Sequence, residues 1–276
     1  MYGILAFSLK ITNWCDLNCV HCCECSGRNN PTNFMPLTKA EQYIGEFQEI
    51  PLNLSQHYTI GGGEGLAPYQ FGDKDYIPQI LSCIYKVDGV PTIKTNGAWG
   101  TNANIRSDIL KSLANSAYFG NKLLTLDISV DEFHNNLNGV ANIITDVVQS
   151  HYLLSAIRIA LLGFNTDGTK KAMDALRSKL YDREIGWDKL PNGDVGVYAS
   201  DNIGIRVIVN DDNEIFDFGR AKQNNVYTAT GQPTMTYVNC IQVDNNNLAI
   251  LNYLYCEQIA GRPLPRVFES LQSKAK

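Results

Sequence analysis

Two hydrophobic rhythms take turns along this chain. Short β-branched and aromatic runs read as strands, and between them apolar residues return every three or four positions, as on one face of a helix. Ile4 to Thr12 is the first strand. Beyond it, Thr38-Lys39-Ala40-Glu41 has the form of a capping box, and Ala40, Tyr43, Ile44 and Phe47 extend it as a helix with one apolar face. His57 to Ile60 predicts a second strand ending on Gly61-Gly62-Gly63, and Ile77, Ile80, Leu81 and Ile84 predict the next helix. Val90 to Thr95 and Leu123 to Val130 predict strands three and four. Ile105, Ile109 and Leu113 mark the helix between them, and Val140, Ile143, Ile144 and Val147 the helix that follows. Ser155 to Leu162, a helix carrying Met173, Leu176 and Leu180, and a sixth strand from Gly204 to Val209 complete the series.

Repeated β-then-α units imply parallel strands with right-handed crossovers, hence an α/β barrel or a wound open sheet. In such folds all strand carboxyl ends open on one face, where ligands bind. The residues with chemical potential fall at those ends. Cysteines follow strand one, glycines follow strand two, Thr95-Asn96-Gly97 follows strand three, and Ser129 and Asp131 sit where strand four ends. After Ala221 the pattern changes to Asn-, Gln- and Thr-rich sequence with short strand-like runs and a final helix from Pro265 to Ser273. Residues 1–221 therefore read as the core domain, and 222–276 as a C-terminal extension too short for a core of its own.

Composition narrows the picture further. The 276 residues are 44% apolar and 18% charged, enough for a sizeable core and unlike a disordered chain. A formal charge of −5 and a pI near 5.4 argue against a nucleic-acid surface. Apolar runs such as Ile4 to Phe7 are too short to cross a bilayer, and no basic segment of a signal peptide precedes the first strand. A cytoplasmic protein without membrane partners is expected. Eight cysteines stand at 15, 19, 22, 23, 25, 83, 240 and 256, and the first five crowd into one short loop. In a reducing compartment that crowding points to metal chemistry and away from disulfides.

Cys15-Asp16-Leu17-Asn18-Cys19-Val20-His21-Cys22 has the spacing C-x3-C-x2-C. Three thiolates on one loop can hold three corners of a cubane cluster and leave the fourth iron open to an exchangeable ligand. Zinc is the rival metal: a structural zinc takes four ligands, and His21 or Cys25 can supply the fourth. Cys23 and Cys25 with Cys240 and Cys256 are candidates for a second metal site, although the two tail cysteines are far apart in sequence. Cys83, between Ile80 and Ile84, reads as a small core residue.

The order of these motifs resembles that of the radical S-adenosylmethionine (radical SAM) superfamily. The cysteine motif after a first strand, Gly62-Gly63-Glu64, Thr95-Asn96-Gly97, the segment Asp127 to Asn135 and Gly219-Arg220-Ala221 follow the family's sequence, the last in the style of peptide-modifying members. Gly65 stands where the family often has proline. The resemblance implies a partial (βα)6 barrel in which Cys15, Cys19 and Cys22 bind a [4Fe–4S] cluster. S-adenosylmethionine then chelates the open iron and is cleaved to a 5′-deoxyadenosyl radical that takes hydrogen from substrate. It further implies that His21, Gly62, Gly63, Glu64, Asn96, Ser129 and Asp131 contact the cofactor, with Glu64 on the methionine ammonium and Ser129 and Asp131 on the ribose. A flavodoxin or ferredoxin would deliver the electron. His134 and Arg220 are candidates for touching substrate; Asp131 and His134 are equally candidates for capping the following helix. The substrate expectation is a peptide, with a small molecule such as a nucleoside, sugar or amino-acid derivative as the enzymatic alternative. A zinc or iron–sulfur binding module is the non-enzymatic one. The first strand begins so early that no leader-binding domain is expected before it.

Overall fold

Strands that bury one face and leave the other polar build the centre of the molecule. The computed structural model describes residues 6–22, 24–50, 57–191, 194–199, 204–213, 223–224, 240–244, 248–251, 255–258 and 263–274. Within these, the strands are β1 (Ala6–Thr12), β2 (His57–Gly62), β3 (Val90–Thr95), β4 (Leu124–Ser129), β5 (Ile157–Phe164), β6 (Gly186–Lys189), β7 (Val195–Tyr198), β8 (Gly204–Asn213), β9 (Cys240–Asp244), β10 (Leu248–Leu251) and β11 (Tyr255–Gln258). They form one sheet in the order β11-β10-β9-β1-β2-β3-β4-β5-β8-β7-β6. From β9 to β8 every neighbouring pair is parallel, and an antiparallel hairpin flanks each side. β11 and β6 are edges, so the sheet does not close.

The helices are α1 (Leu37–Gln48), α2 (Ala67–Gln70), α3 (Tyr76–Lys86), α4 (Ala103–Gly120), α5 (Leu137–Val148), α6 (His151–Leu154), α7 (Asp167–Tyr181) and α8 (Leu264–Lys274). Their apolar faces cover one side of the sheet. Leu9, Ile60, Ile93, Leu126 and Ile159 stand in one register row across β1 to β5, and all are fully buried. Above β1 and β2, Phe47 of α1 stacks on Phe7 at 4.5 Å and meets Tyr58 edge-on at 5.4 Å. No helix among the described residues is long and apolar enough to cross a membrane.

The opposite face is polar. Ser8, Thr59, Thr92, Thr125 and Arg158 form one register row there. One step nearer the strand carboxyl ends, Lys10 pairs with Gly61 and Lys94 with Asp127. Burial pushes the Asp127 carboxyl up, and the Lys94 charge pulls against that.

The six strands expected from the sequence are present, as is the final helix. The hairpin β6–β7 was not anticipated, and the strand-like runs expected after Ala221 are found as β9, β10 and β11, in a pairing the sequence did not indicate. Because β9 lies parallel beside β1, residues beyond 221 belong to the same sheet as the first strand. The expected capping box is corrected: α1 starts at Leu37, and its N-cap is Pro36, with no side-chain cap. The Pro36 carbonyl accepts from the Lys39 and Ala40 N–H groups, and proline's fixed φ sets the entry, which leaves Thr38 inside the first turn.

Phe47→Ala removes the ring that fills the space between Phe7 and Tyr58, and is expected to cost about 3–5 kcal/mol of stability. Urea unfolding of the variant against wild type measures it.

Candidate functional site

The loop after β1 is tied down before its cysteines begin. Thr12 O accepts from Gly63 N at 2.8 Å and Trp14 O from Glu64 N at 2.8 Å, so the chain leaving β1 is zipped to the chain leaving β2. Glycine is required at both positions of this seam. Gly62 has φ +108°, and a Cβ on Gly63 would lie 1.9 Å from the Trp14 carbonyl oxygen. From the seam the cysteine loop swings out and returns at Gly27, which bridges Trp14 and accepts from Cys15 N at 3.4 Å. Lys10 on β1 pairs with Glu24 inside the loop, and Arg28 donates to the Asp16 carbonyl.

Glu64, at the end of this seam, is fully buried. Its carboxylate accepts from Thr95 Oγ1 at 2.6 Å, Asn96 N at 2.8 Å and Leu66 N at 2.9 Å, which locks the end of β2 to the end of β3. Burial, helped by the nearby Asp16 charge, pushes its carboxyl up to about 7 against these bonds. Asn96 carries the connection onward: its Nδ2 donates to Asp16 Oδ1 at 2.6 Å and to Cys15 Sγ at 3.5 Å. Asn136 then joins β3 to β4, donating to the carbonyls of Asn96 and Ser129.

The rim continues past β4. Asp131 Oδ1 accepts from Phe133 N at 2.8 Å and His134 N at 3.1 Å, and both its oxygens meet His134 Nδ1, at 2.8 and 2.9 Å. Burial works against its charge, but the His134 bond and charge and the His21 charge prevail and hold the carboxyl below its usual range. For His134, burial favours the neutral ring; bonds to Asp131 and Cys19 outweigh it and hold the imidazolium to about 10. His21 reaches across from the cysteine loop. Its ring lies 4.5 Å from Phe133, 5.0 Å from Phe164 and 5.2 Å from His134.

All the described residues expected at the site therefore stand at the carboxyl ends of β1 to β4: Cys15, Cys19, Cys22, His21, Gly62, Gly63, Glu64, Asn96, Ser129, Asp131 and His134. Arg220, like Cys23 and the rest of Gly219-Arg220-Ala221, lies outside the described residues, and the side chains of Cys240 and Cys256 do too. The helix-capping reading of Asp131 is corrected. It closes the turn at 133–134, whereas α5 begins after Asn136, without a side-chain cap. Sequence reasoning gave no role of their own to Thr95, Asp16 and Phe133, which lie inside the motifs it quoted, and missed Asn136 and Phe164. Asp16 lay in plain view between two cysteines; Asn136 sits in a turn and carried no periodic signal.

Three free thiols on one loop, the first with N–H donors on its sulfur, are a donor set that an iron–sulfur cluster can use. Sulfurs sharing one tetrahedral zinc lie about 3.8 Å apart, from bonds of about 2.3 Å. Among the described residues, the group of three potential ligands with donor atoms mutually within 4.8 Å is His21, Asp131 and His134; Cys15, Cys19 and Cys22 do not form one. Within that group, Nδ1 of His134 is already bonded to Asp131. N–H groups meanwhile point at sulfur. Leu17 N and Asn96 Nδ2 donate to Cys15 Sγ at 3.4 and 3.5 Å. Burial and the Glu64 charge push the Cys15 thiol up to about 12.

No family model matches the sequence, and no curated protein does either. Among solved structures, native anSMEcpe with bound AdoMet is similar over 65% of this chain and 49% of that one, at 15% identity and TM-score 0.42. The same protein carrying a polyhistidine tag, again with bound AdoMet, gives 18% identity and TM-score 0.39 over 63% and 47% of the two chains. The native protein with AdoMet and a Kp18Cys peptide gives 15% and 0.40 over 65% and 48%. This chain spans about half the length of each.

Two variants test the seam. Gly63→Ala drives a methyl into the Trp14 carbonyl and is expected to cost about 3 kcal/mol, the upper end for overpacking. Glu64→Gln replaces an acceptor oxygen by an NH2 group facing donors, an expected loss of about 1–3 kcal/mol. It also changes the pH profile. Folded Glu64 binds its proton more tightly than the unfolded chain does, so wild-type stability falls as pH rises from about 5 to about 8, and the variant loses that slope. Urea unfolding across this range gives parallel profiles if Glu64 does not titrate there.

Proposed function

We propose that this chain is a radical S-adenosylmethionine enzyme whose open, mostly parallel sheet is the family's partial (βα)6 barrel. The observation that carries this reading is the shared rim. Three cysteines with the family's spacing, the first of them with two N–H donors on its sulfur, sit beside the ends of β2, β3 and β4, where a bound cofactor would also lie. Cys15, Cys19 and Cys22 would hold a [4Fe–4S] cluster. When bound, the cluster and S-adenosylmethionine together supply a 5′-deoxyadenosyl radical that takes hydrogen from substrate.

The chain's own residues bind and orient. Glu64 is assigned to the methionine ammonium, and Gly62 and Gly63 allow the close backbone approach of the seam that places it. Asn96 holds the loop carrying Cys15 against the rim. His21, packed on Phe133 and Phe164, fixes the segment between Cys19 and Cys22 for a purine ring. Ser129 is assigned to the ribose, and Asp131 contributes its remaining acceptor capacity there. The protein's electron would come from a flavodoxin or ferredoxin.

A peptide is the proposed substrate, on the strength of the Gly219-Arg220-Ala221 resemblance, with residues 222–276 as barrel closure or substrate cap. The polar sheet face below the rim, with its hydroxyl row and the Lys94 and Asp127 charges, suits amide and charged groups. The same face favours a second reading, a small polar molecule such as an amino-acid derivative.

Anaerobic reconstitution is expected to load about four irons per chain, and about eight would reveal a second cluster. With dithionite, the loaded protein should convert S-adenosylmethionine to methionine and 5′-deoxyadenosine, and Cys19→Ala should fall to background. Zinc uptake with no cleavage product, or a Cys19→Ala variant equal to wild type, overturns the assignment.

A further inference from the structure

One step below the rim, the polar face of the sheet carries two opposite charges that do not satisfy each other. Lys94 on β3 and Asp127 on β4 are register partners, and Asp127 is in turn the partner of Ala160 on β5. Lys94 is exposed and Asp127 half-buried. Among the described residues neither side chain makes a hydrogen bond or a direct ion pair, whereas Lys10, in the same row on β1, is paired with Glu24. The path of the lysine stem accounts for this. A Cβ on Gly61 of β2 would lie 3.5 Å from Lys94 Cβ and 3.9 Å from its Cδ, so the stem runs over the glycine, on the side away from β4. Gly61 and Ala160 thus flank the two charges with almost no side chain of their own. The row beneath is Thr59, Thr92 and Thr125, and the next residues towards the rim on β3 are Thr95 and Asn96.

A carboxylate half out of water without a donor is costly, and a ligand that supplies one, together with an anion for the lysine, removes that cost. Neighbouring strands lie about 4.8 Å apart, so the two groups have to be close neighbours in the ligand. Resting on the radical S-adenosylmethionine reading above, we propose that Lys94 and Asp127 are specificity-determining residues that read an α-amino carboxylate unit of the substrate. The carboxylate pairs with the Lys94 ammonium, and the N–H on the adjoining carbon donates to Asp127. A free amino acid and the C-terminal residue of a peptide both present this unit. A peptide bond in mid-chain offers no anion to Lys94. Because Lys94 directly precedes the rim residues Thr95 and Asn96, the unit is anchored just beneath the place assigned to the cofactor.

The test is anaerobic equilibrium dialysis of the reconstituted full chain with S-adenosylmethionine and no reductant, the retained probes being counted by mass spectrometry. The probes are the amino acids with neutral side chains, N-acetyl dipeptides ending in each of them, and the same compounds as carboxamides. Wild type is expected to retain at least one acid, and its carboxamide about tenfold less or weaker still, as befits loss of a charge-assisted bond. Retention from the amino-acid set or from the dipeptide set separates the two sources of the unit. At equal iron content, Lys94→Met is expected to lose the preference for acid over amide, Lys94→Arg to keep it, and Asp127→Ala to bind the acid several-fold more weakly. The inference is overturned, and the enzyme reading left standing, if wild type that cleaves S-adenosylmethionine under dithionite retains acids and amides equally, or neither. A Lys94→Met protein with the wild-type preference, or an Asp127→Ala protein with wild-type affinity, overturns it too. The acid-against-amide comparison in wild type needs no variant, so poor loading of Lys94→Met still leaves the inference refutable. Wild type that takes up no cluster overturns both this inference and the function it rests on.

Discussion

A carboxylate buried without a cationic partner among its hydrogen bonds has to be held by neutral donors, and Glu64 is held by three of them from two loops. The rest of the rim depends on that arrangement. Its backbone fixes Trp14 and so the start of the cysteine loop; its oxygens fix Thr95 and Asn96 and so the end of β3. Asn96 passes the constraint to Asp16 and Cys15, and Asn136 passes it to Ser129. In a low-dielectric setting such a network is costly if broken at any member, because each orphaned group loses its only compensation for leaving water. Rigidity at the rim thus comes from polar bonds, while the helix-covered face of the sheet supplies the apolar burial beneath.

Much of this was legible in the sequence, and the failures have physical causes. Strands β1 to β5 announce themselves because one face is apolar and each is followed by a helix with its own period. Position at strand ends follows from parallel topology, which is why Cys15, Glu64, Asn96 and Asp131 were expected together before any distance was known. The hairpin β6–β7 was missed because its strands are only four residues each, and its exposed edge strand carries Asp188 and Lys189 where a core strand would be apolar. For the short runs near the C-terminus it was the pairing that escaped: a strand's partner is a non-local matter, and nothing in Cys240 to Asp244 names β1. Thr38 and Glu41 satisfied a capping pattern, yet Pro36 began the helix ahead of it, since local patterns compete and the stiffer residue decides the entry.

Asp131 shows how one residue can satisfy two expectations in unexpected form. It does make a cap-like turn, but for the segment that carries His134 and not for α5. Its ring partner is a histidine three residues on, the spacing of neighbours on a helix, here met within a turn. The polar face of the sheet is similar. Its residues sit at the alternate positions of β-branched strands, where sequence reading expects solvent; across β2 to β4 they line up as Thr59, Thr92 and Thr125.

The pairing of β9 with β1 also has a bearing on biogenesis. The strand that leads into the cysteine loop is flanked on one side by sequence made soon after it and on the other by sequence made much later. Contacts so distant in sequence form late, and until they do β1 presents an open hydrogen-bonding edge on which a growing or partly folded chain can associate wrongly. Under the proposed cluster assignment, loading of Cys15, Cys19 and Cys22 would then have its natural moment late in synthesis or after it, once β9 has sealed that edge.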